Sequence, residues 1–249
     1  MITVGIITKN EKDNIAECIR SAEKITGNIL VIDSFSQDNT ADIAMGLGAR
    51  VLENRFEDFV TQKNLLIDST DTEWIFILDA DERITDELSL EIAGVMQKPE
   101  YDGYYIPRKS FYMDRFINHS GWYPDYVMKL FKVSRGRFSG RLVHETVCLK
   151  GNAKKLHSHL LHYPYKSLSH HIDKINHYTQ LYAEGHPGKK SSVIRAIFNA
   201  QFKFIKTFVF QLGFLDGKTG FILSIMASYY TLLKYLKIME KKQKSKTGK

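Results

Sequence analysis

Cysteine and proline are scarce in this chain of 249 residues, which has two Cys and five Pro. The two thiols, Cys18 and Cys148, cannot form a disulfide framework or a thiolate zinc site, and they favour a reducing compartment. So little proline, together with 16 glycines, excludes a collagen-like or low-complexity chain. The N-terminus, MITVGIITKNEKD, lacks the basic segment and long apolar core of a secretion signal, and it predicts a strand instead.

Acidic residues are almost absent from the last 100 residues. Residues 150–249 hold 18 Lys or Arg against four Asp or Glu, a net charge of +14. Residues 1–149 hold 17 against 24, a net charge of −7. This reversal predicts an acidic catalytic or binding half and a basic half that faces an anionic partner. The overall content, 43% hydrophobic and 25% charged, is typical of a globular protein and excludes wholesale disorder.

The first half of the sequence alternates apolar strands with amphipathic helices. Nearly continuous apolar runs predict strands buried on both faces of a parallel sheet, at Ile2–Thr8, Ile29–Asp33, Arg50–Asn54 and Trp74–Asp79. Apolar residues at helical spacing predict helices over Asp13–Ile25 and Asp38–Leu47, with another near Thr85–Met96. The alternation predicts an α/β fold with a Rossmann-like, doubly wound and mostly parallel sheet, whose ligands bind at the carboxyl ends of the strands.

Beyond residue 101 the pattern changes to short aromatic-rich segments. Tyr104–Arg108, Val127–Val133 and Arg141–Val147 predict antiparallel additions to the sheet. A histidine-rich stretch follows, and from Ser191 onward the sequence predicts apolar helices that end in a lysine-rich tail. We therefore predict a catalytic domain over residues 1–185 and a basic helical appendage over residues 186–249.

Two carboxylates follow the fourth predicted strand, in the sequence Asp79-Ala80-Asp81. Alternate residues of an extended chain share a face, so both side chains can reach one point. Carboxylate oxygens are the ligands that Mg²⁺ and Mn²⁺ prefer, and such an ion also binds phosphate oxygens. A surface turn or a helix cap would use the same residues. The position directly after a buried strand favours the metal site.

A third carboxylate, Asp33, ends the second predicted strand and is followed by small polar residues. A carboxylate there can accept hydrogen bonds from a nucleobase or a ribose. Asp38 is better explained as a cap of the following helix. The sequence therefore predicts that Asp33, but not Asp38, contacts a ligand.

Taken together, these segments resemble the family 2 glycosyltransferases, which have the GT-A fold. The resemblance begins with Thr8-Lys9-Asn10-Glu11, Asp33-Ser34-x-Ser36-x-Asp38-x-Thr40 and Asp79-x-Asp81. Later segments are similar to the WaaE-like subgroup of lipopolysaccharide core glucosyltransferases: GWYP at 121–124, KLF at 129–131, GRLVHE at 140–145, HYPY at 162–165 and GFLDGKTGF at 213–221. The resemblance extends over nearly the whole chain.

The resemblance implies a role for residues at the strand ends. The donor, a UDP-sugar, would be held by Thr8, Asn10, Glu11, Asp33, Lys63 and Asp79. A divalent ion, Mg²⁺ or Mn²⁺, would be held by Asp79, Asp81 and a late histidine, for which His162 is the candidate.

The resemblance also implies an acidic catalytic base on a later loop, often within a Glu-Asp pair. This sequence has no such pair there, and His144-Glu145 occupies the expected place. Glu145 is therefore the candidate base, and Asp125 is the alternative. His144 is expected to contact the acceptor or a phosphate.

These parts fit a single displacement. A cation stabilises the diphosphate as it leaves, and a carboxylate removes the proton from the attacking hydroxyl. One displacement inverts the anomeric centre, so an α-linked UDP-hexose gives a β-linkage. The resemblance favours glucose as the sugar and a lipid-linked or lipopolysaccharide-core-type glycan as the acceptor.

The basic C-terminal segment has two interpretations. Its apolar runs are interrupted at Asp216 and Lys218, and neither reaches the roughly 18–20 apolar residues of a membrane span. It is either a helical hairpin packed on the catalytic domain or an amphipathic hairpin in the interface of an anionic leaflet. The lysines from Lys237 to Lys249 favour the second interpretation and a peripheral position on the inner face of the cell membrane. No nucleic-acid-binding module accompanies the charge, so nucleic acid is not expected as a partner.

Two other functions use the same features. A sugar-nucleotide nucleotidyltransferase shares the layered α/β core, but it would need a glycine-rich loop where this chain has Thr8-Lys9-Asn10-Glu11. A non-catalytic carbohydrate-binding scaffold would not need Asp79, Asp81 and Glu145. Turnover of a UDP-sugar separates the scaffold from the enzyme.

Overall fold

The computed structural model describes residues 1–140, 145–186, 189 and 191–247. The strands are β1 Ile2–Thr8, β2 Ile29–Asp33, β3 Arg50–Glu53, β4 Trp74–Asp79, β5 Glu82–Ile84, β6 Gly103–Tyr112, β7 Arg115–Phe116, β8 Asp125–Lys132, β9 Gly136–Ser139, β10 Thr146–Leu149, β11 Ala153–Lys155 and β12 Leu160–His162. The helices are α1 Ile15–Ala22, α2 Thr40–Gly46, α3 Phe59–Asp68, α4 Asp86–Gln97, α5 Leu168–Gly185, α6 Val193–Ile205 and α7 Gly217–Thr247.

The chain divides into two compact units. The first contains residues 1–109 and 125–162, and the second contains residues 110–124 and 163–249. Residues 163–185, placed by the sequence with the catalytic domain, thus belong to the second unit. The reason is that α5 packs against α7, where Lys237 Nζ donates to the Asn176 carbonyl oxygen of α5 over 2.6 Å.

A mixed sheet forms the centre of the first unit. Strands β3, β2, β1 and β4 run parallel in that order, and β8 pairs antiparallel with β4 at the edge of this group. Then β6 pairs antiparallel with β8, while β5 and β12 pair with each other. The predicted α/β sheet with antiparallel additions is confirmed. The predicted bounds of β1, β2 and β4 are confirmed to the residue.

Side chains of the parallel strands alternate between two cores. Val4, Ile6 and Phe76 point to one face, where they pack with residues of α1, α2 and α4. Leu30, Ile32 and neighbouring residues point to the other face, where they pack with α3. Because both faces are covered, β1, β2 and β4 are apolar along most of their length.

Helix α3 is an element that the sequence does not predict. It begins after Asp58, whose side chain accepts a hydrogen bond from Thr61 N. It packs closely on the sheet at Gly5, where a Cβ atom would lie 3.1 Å from Leu66 Cδ2. The glycine therefore lets the helix approach β1.

The second unit is largely helical. Helix α6 continues as a π-helical turn over Lys206–Phe210, and a short 3₁₀ turn over Gly213–Asp216 leads into α7. The start of α7 lies against that turn so closely that a Cβ at Gly220 would fall 1.9 Å from the Gly213 carbonyl oxygen. A helical C-terminal part, as predicted from Ser191 onward, is confirmed.

Candidate active site

The register of the parallel strands brings three predicted site residues to one edge of the sheet. Thr8 pairs with Asp33 across β1 and β2, and Ile7 pairs with Asp79 across β1 and β4. This edge holds the carboxyl ends of the strands, where open α/β sheets bind their ligands.

Asp33 is buried and orders the loop that follows its own strand. Its Oδ1 accepts hydrogen bonds from Thr8 Oγ1 at 2.9 Å and Ser36 Oγ at 2.6 Å, and its Oδ2 accepts from Ser36 N at 2.7 Å. Since these donors belong to the protein, the structure gives Asp33 a role in shaping the loop. Its contact with uridine stays a prediction.

The loop after β1 is tied to the loop after β2 through backbone groups. Asn10 N donates to Ser36 Oγ at 2.8 Å, and Gln37 N donates to Asn10 Oδ1 at 2.9 Å. Glu11 N donates to Thr40 Oγ1 at 2.8 Å. Asn10 has a φ of 56°, a left-handed conformation that asparagine tolerates better than most residues. Thr8, Asn10, Glu11 and Asp33 thus belong to one hydrogen-bonded pair of loops, in which Thr8 and Asp33 are buried and Asn10 is exposed.

Two lysines contact the carboxylate of Asp79. Lys129 Nζ lies 2.8 Å from Asp79 Oδ2, and Lys63 Nζ lies 3.4 Å from Asp79 Oδ1. Burial raises the pKa of Asp79, but Lys129 and Lys63 outweigh it and hold the pKa well below its ordinary value. Asp79 is therefore ionised, and both of its oxygens already face a cation.

Lys129 also fixes the turn that contains Asp79 and Asp81. It is 2% exposed and lies 2.5 Å from Glu82 Oε2, and Glu82 is itself fully buried. The same Oε2 accepts a hydrogen bond from Asp79 N at 2.9 Å. Burial alone would lower the pKa of Lys129, but Asp79 and Glu82 raise it. The turn is thus tied to β8 by a buried, charged lysine.

Asp81 and His162 lie together, as a shared metal ion would require. Asp81 Oδ2 is 3.6 Å from His162 Nε2, and the two side chains are 23% and 16% exposed. The pairing of β5 with β12 sets this distance, because His162 is the partner of Glu82. A carboxylate and an imidazole suit Mn²⁺, and diphosphate oxygens would supply further ligands. Within the described residues, no group of three His, Cys, Asp or Glu side chains is placed to hold an ion, so Asp79 is not aligned with this pair.

Lys63 joins the candidate base to the donor side of the site. Its Nζ is 3.4 Å from Glu145 Oε1, the same distance as from Asp79 Oδ1. Glu145 is 20% exposed and Asp79 is 26% exposed, so a ligand can reach both. The sequence places these three residues far apart, and the structure brings them together.

Asp125, the alternative base, is paired with an arginine. Arg108 Nη2 lies 2.6 Å from Asp125 Oδ2, and Arg108 Nη1 lies 3.5 Å from Glu82 Oε1. Although burial would lower the pKa of Arg108, Glu82 and Asp125 raise it. Asp125 is thus held in a close ion pair, whereas the Lys63 Nζ to Glu145 Oε1 distance is 3.4 Å. His144 lies outside the described residues.

Three charged residues of this network are missing from the sequence-based site. Lys129 and Glu82 are buried and Arg108 is half-buried, and charges in such positions require partners. A lysine between Met128 and Leu130 in an apolar strand is the signal that would have indicated Lys129.

The fold is that of a known glycosyltransferase structure. Residues 1–349 of TarS from Staphylococcus aureus, in complex with UDP-GlcNAc, match with a TM-score of 0.53 at 15% identity. The match covers 100% of this chain and 92% of that chain. Similarity of this kind shows the fold, and the predicted GT-A fold is confirmed.

Comparison of the sequence identifies the family. The model of glycosyl transferase family 2 matches residues 3–161, and the chain belongs to this family. An uncharacterized glycosyltransferase of Rickettsia typhi is 29% identical over 98% of this chain and 89% of its own length. The lipopolysaccharide core biosynthesis glycosyltransferase LpsC of Rhizobium meliloti is 25% identical over 96% of this chain and 92% of its own length.

Proposed function

We propose that this chain is an inverting glycosyltransferase that moves a hexose, glucose in the first instance, from a UDP-sugar to a glycan acceptor. The observation that carries the proposal is the position of Lys63, 3.4 Å from both Asp79 and Glu145. The ammonium group of Lys63 is suited to bind a diphosphate. It lies beside Glu145, whose carboxylate is suited to accept a hydroxyl proton. The family membership supports glycosyl transfer over nucleotidyl transfer and over a scaffold.

The donor is assigned from the solved relative and the strand-end residues. TarS binds UDP-GlcNAc and UDP. In this chain the loops that contain Asn10 and Glu11, ordered by the buried Thr8 and Asp33, would receive the uridine, and the charge of Lys63 would favour the diphosphate. A divalent ion held by Asp81 and His162 would neutralise the charge that develops on the departing diphosphate.

In the proposed reaction, the residues of this chain control one proton and one leaving group. A carboxylate oxygen of Glu145 accepts the proton of the acceptor hydroxyl, while the oxygen of this hydroxyl bonds to the anomeric carbon. The bond from this carbon to the phosphate oxygen breaks, and its electron pair leaves with UDP. Lys63 lies where its charge can stabilise that diphosphate. A single displacement inverts the anomeric centre.

We also propose that the acceptor is a lipid-linked or lipopolysaccharide-core-type glycan at the cytoplasmic face of the membrane. LpsC, an enzyme of lipopolysaccharide core biosynthesis, matches almost the whole chain. This match and the segments at 121–124 and 213–221 support the WaaE-like subgroup. The basic second half, with a net charge of +14, supports a membrane surface as the place of action.

A direct test measures turnover of a panel of UDP-hexoses with Mn²⁺, with and without a truncated lipopolysaccharide core as acceptor. We expect UDP-glucose to be consumed and a β-linked product, identified by the coupling of its anomeric proton. An α-linked product would contradict inversion. Absence of both UDP binding and turnover for every UDP-sugar would instead support a scaffold.

Substitution of the base gives a sharper measurement. Glu145→Gln keeps the size of the side chain but cannot accept the proton, so kcat should fall by about 10²–10⁴-fold while UDP binding changes little. The exposed Glu100→Gln is the matched control and should retain wild-type kcat. A Glu145→Gln rate within about threefold of wild type, with a large loss in Asp125→Asn, would move the base to Asp125.

A further inference from the structure

The second unit exposes an unusual amount of apolar surface on α6, on the turn that follows and on α7. Its Phe198, Phe202 and Phe210 are 68%, 54% and 73% exposed. We call this surface the hairpin face and define it by Ile194, Phe198, Phe202, Phe210, Leu215 and Phe221. Exposed apolar surface of this extent indicates a binding surface.

Helix α6 turns its large side chains outward and its small ones inward. Ile194, Phe198 and Phe202 recur at intervals of four residues on the exposed side. The buried side carries Ala196 and Ala200, and the α7 residue Ser228 donates to the Ala200 carbonyl oxygen over 2.8 Å. Because α7 packs on the side of the small residues, packing between the two helices leaves the hairpin face uncovered.

The segment that contains the hairpin face is basic and almost free of acids. Residues 185–239 contain eight Lys or Arg and a single acid, Asp216. Asp216 is 3% exposed, and its carboxylate accepts hydrogen bonds from His119 N at 3.1 Å and Ser120 Oγ at 3.0 Å. The single acid of this segment is thus turned inward, and the charged side chains that the segment exposes are lysines and arginine.

Lys203, near the end of α6, has other lysines around it. Burial lowers the pKa of Lys203, and the charges of Lys206 and Lys234 lower it further. Lys206 follows three residues later, at the start of the π-helical turn. An anionic group bound there would relieve their repulsion.

The geometry of the helices favours a position in the interface of a bilayer. In the part of the chain that the structure describes, no single helix is long and apolar enough to cross a membrane. Val193–Phe210 and Gly213–Gln243 reach that length and hydropathy only as a pair, and they are bent by 71° at the break. A bent, amphipathic pair with lysines beside its apolar side chains is typical of helices that lie in the headgroup region.

We propose that the hairpin face binds an anionic lipid bilayer, with Phe210 and Leu215 entering the acyl boundary and Lys203, Lys206 and Lys234 contacting lipid phosphates. This inference deepens the proposed membrane-face function and gives that function a defined surface. A second copy of the chain is a less favourable occupant, because two such faces would oppose positive charges.

The test is co-flotation of the full chain with vesicles of phosphatidylglycerol and phosphatidylcholine, compared with pure phosphatidylcholine. We expect binding to the anionic vesicles, a loss of binding at high salt, and a reduction of about tenfold or more in affinity for Phe210→Ser. Leu90→Ser is the matched control, since Leu90 is an apolar residue of α4 with 72% exposure. Lys206→Glu should weaken binding by about tenfold, and Lys98→Glu, also exposed, should not.

The depth to which residue 210 enters the bilayer is measured separately with the variant Phe210→Trp. Its fluorescence should shift to shorter wavelength with anionic vesicles and be quenched by lipids brominated on the acyl chain, whereas Leu90→Trp should show neither effect. Equal binding to neutral vesicles, or equal loss in Phe210→Ser and Leu90→Ser, overturns the proposal. So does a dimer in solution that Phe210→Ser dissociates without any vesicle binding. Turnover of UDP-hexose with a soluble acceptor is measured on the same variants, so that a failure of lipid binding is distinguished from a failure of the proposed reaction.

Discussion

At the scale of the residue, individual buried charges determine the shape of the site. Lys129 lies in a strand between apolar neighbours, yet it contacts carboxylates of both Asp79 and Glu82. Breaking a buried ion pair leaves an uncompensated charge, which costs far more than breaking a pair at the surface. Lys129 is therefore a positioning residue for the Asp79–Glu82 turn.

Replacement of Lys129 tests this role. Lys129→Met should lower the free energy of unfolding by about 3–5 kcal/mol, measured by chemical denaturation, because the fully buried Glu82 would lose the nearer of its two cations. Lys132→Met is the control in the same strand, where Lys132 pairs with Asp102 at 3.1 Å and is 27% exposed. Lys132→Met should lower the free energy of unfolding by about 1 kcal/mol or less. Equal costs for the two variants would contradict the positioning role.

Asp81 belongs to the same scale, since its proposed role is to hold a metal ion with His162. Asp81→Ala should reduce UDP affinity in Mn²⁺ to the level measured in EDTA, as followed by calorimetry. Asp71→Ala, at an exposed position, should keep the effect of Mn²⁺. Unchanged affinity of Asp81→Ala for UDP in Mn²⁺ would refute the role of Asp81.

Helix α5 shows how an element is held by a buried, uncharged histidine. His171 is stacked on Tyr165 with 4.0 Å between ring centroids, and its Nδ1 lies 2.8 Å from the Tyr112 hydroxyl. Burial lowers the pKa of His171 to about 4, with smaller effects of Lys174 and His170. The sequence pattern shows only a histidine-rich stretch, and the packing makes this histidine part of a core.

The lowered pKa predicts how stability depends on pH. Between the unfolded pKa of about 6.5 and the folded value of about 4, the unfolded chain binds more protons at this site, so stability falls as pH falls through this window. We expect the melting temperature of the wild type to fall more steeply from pH 6.5 to pH 4 than that of His171→Phe. The exposed His157→Phe should follow the wild type. Parallel profiles for wild type and His171→Phe would show that His171 does not titrate in this window.

At the scale of the whole molecule, the chain joins two compact units of opposite charge character. The strand-end residues that hold the candidate site belong to the first unit, and the hairpin face belongs to the second. A ligand that binds only the folded state raises the free energy of unfolding with the logarithm of its concentration relative to Kd. Donor binding can therefore be measured as thermal stabilisation of the whole chain.

We predict that UDP-sugars raise the melting temperature of the chain, which a thermal-shift screen would measure. At 100 times its Kd, a donor should add about 2.7 kcal/mol, which corresponds to roughly 5–10 °C in melting temperature for a domain of this size. The shift should be larger with Mn²⁺ than with EDTA, and ADP-glucose should give less. The absence of a shift for every UDP-sugar would contradict the assigned donor class.

Much of the fold could be predicted because its signals are local. Buried parallel strands are continuously apolar, and β1, β2 and β4 therefore have the bounds that their sequences indicate. Helix α3 could not be found in this way, because its buried side carries polar residues. Gln62 is 1% exposed and donates to Ser34 Oγ at 3.1 Å, so its burial depends on a partner 28 residues away.

The sequence by itself determined the strands β1, β2 and β4 with the helices that follow the first two, the position of Asp33, Asp79 and Asp81 at strand ends, and the basic character of the last 100 residues. These features follow from periodicity and composition, which each short segment carries on its own. Only the tertiary structure decided that Lys63 meets Glu145, which lies 82 residues further along the chain. It also decided that Lys129 closes the Asp79 turn from β8. The spacing of paired charges along a sequence follows no regular period, because the packing of distant strands and helices determines which charges come into contact.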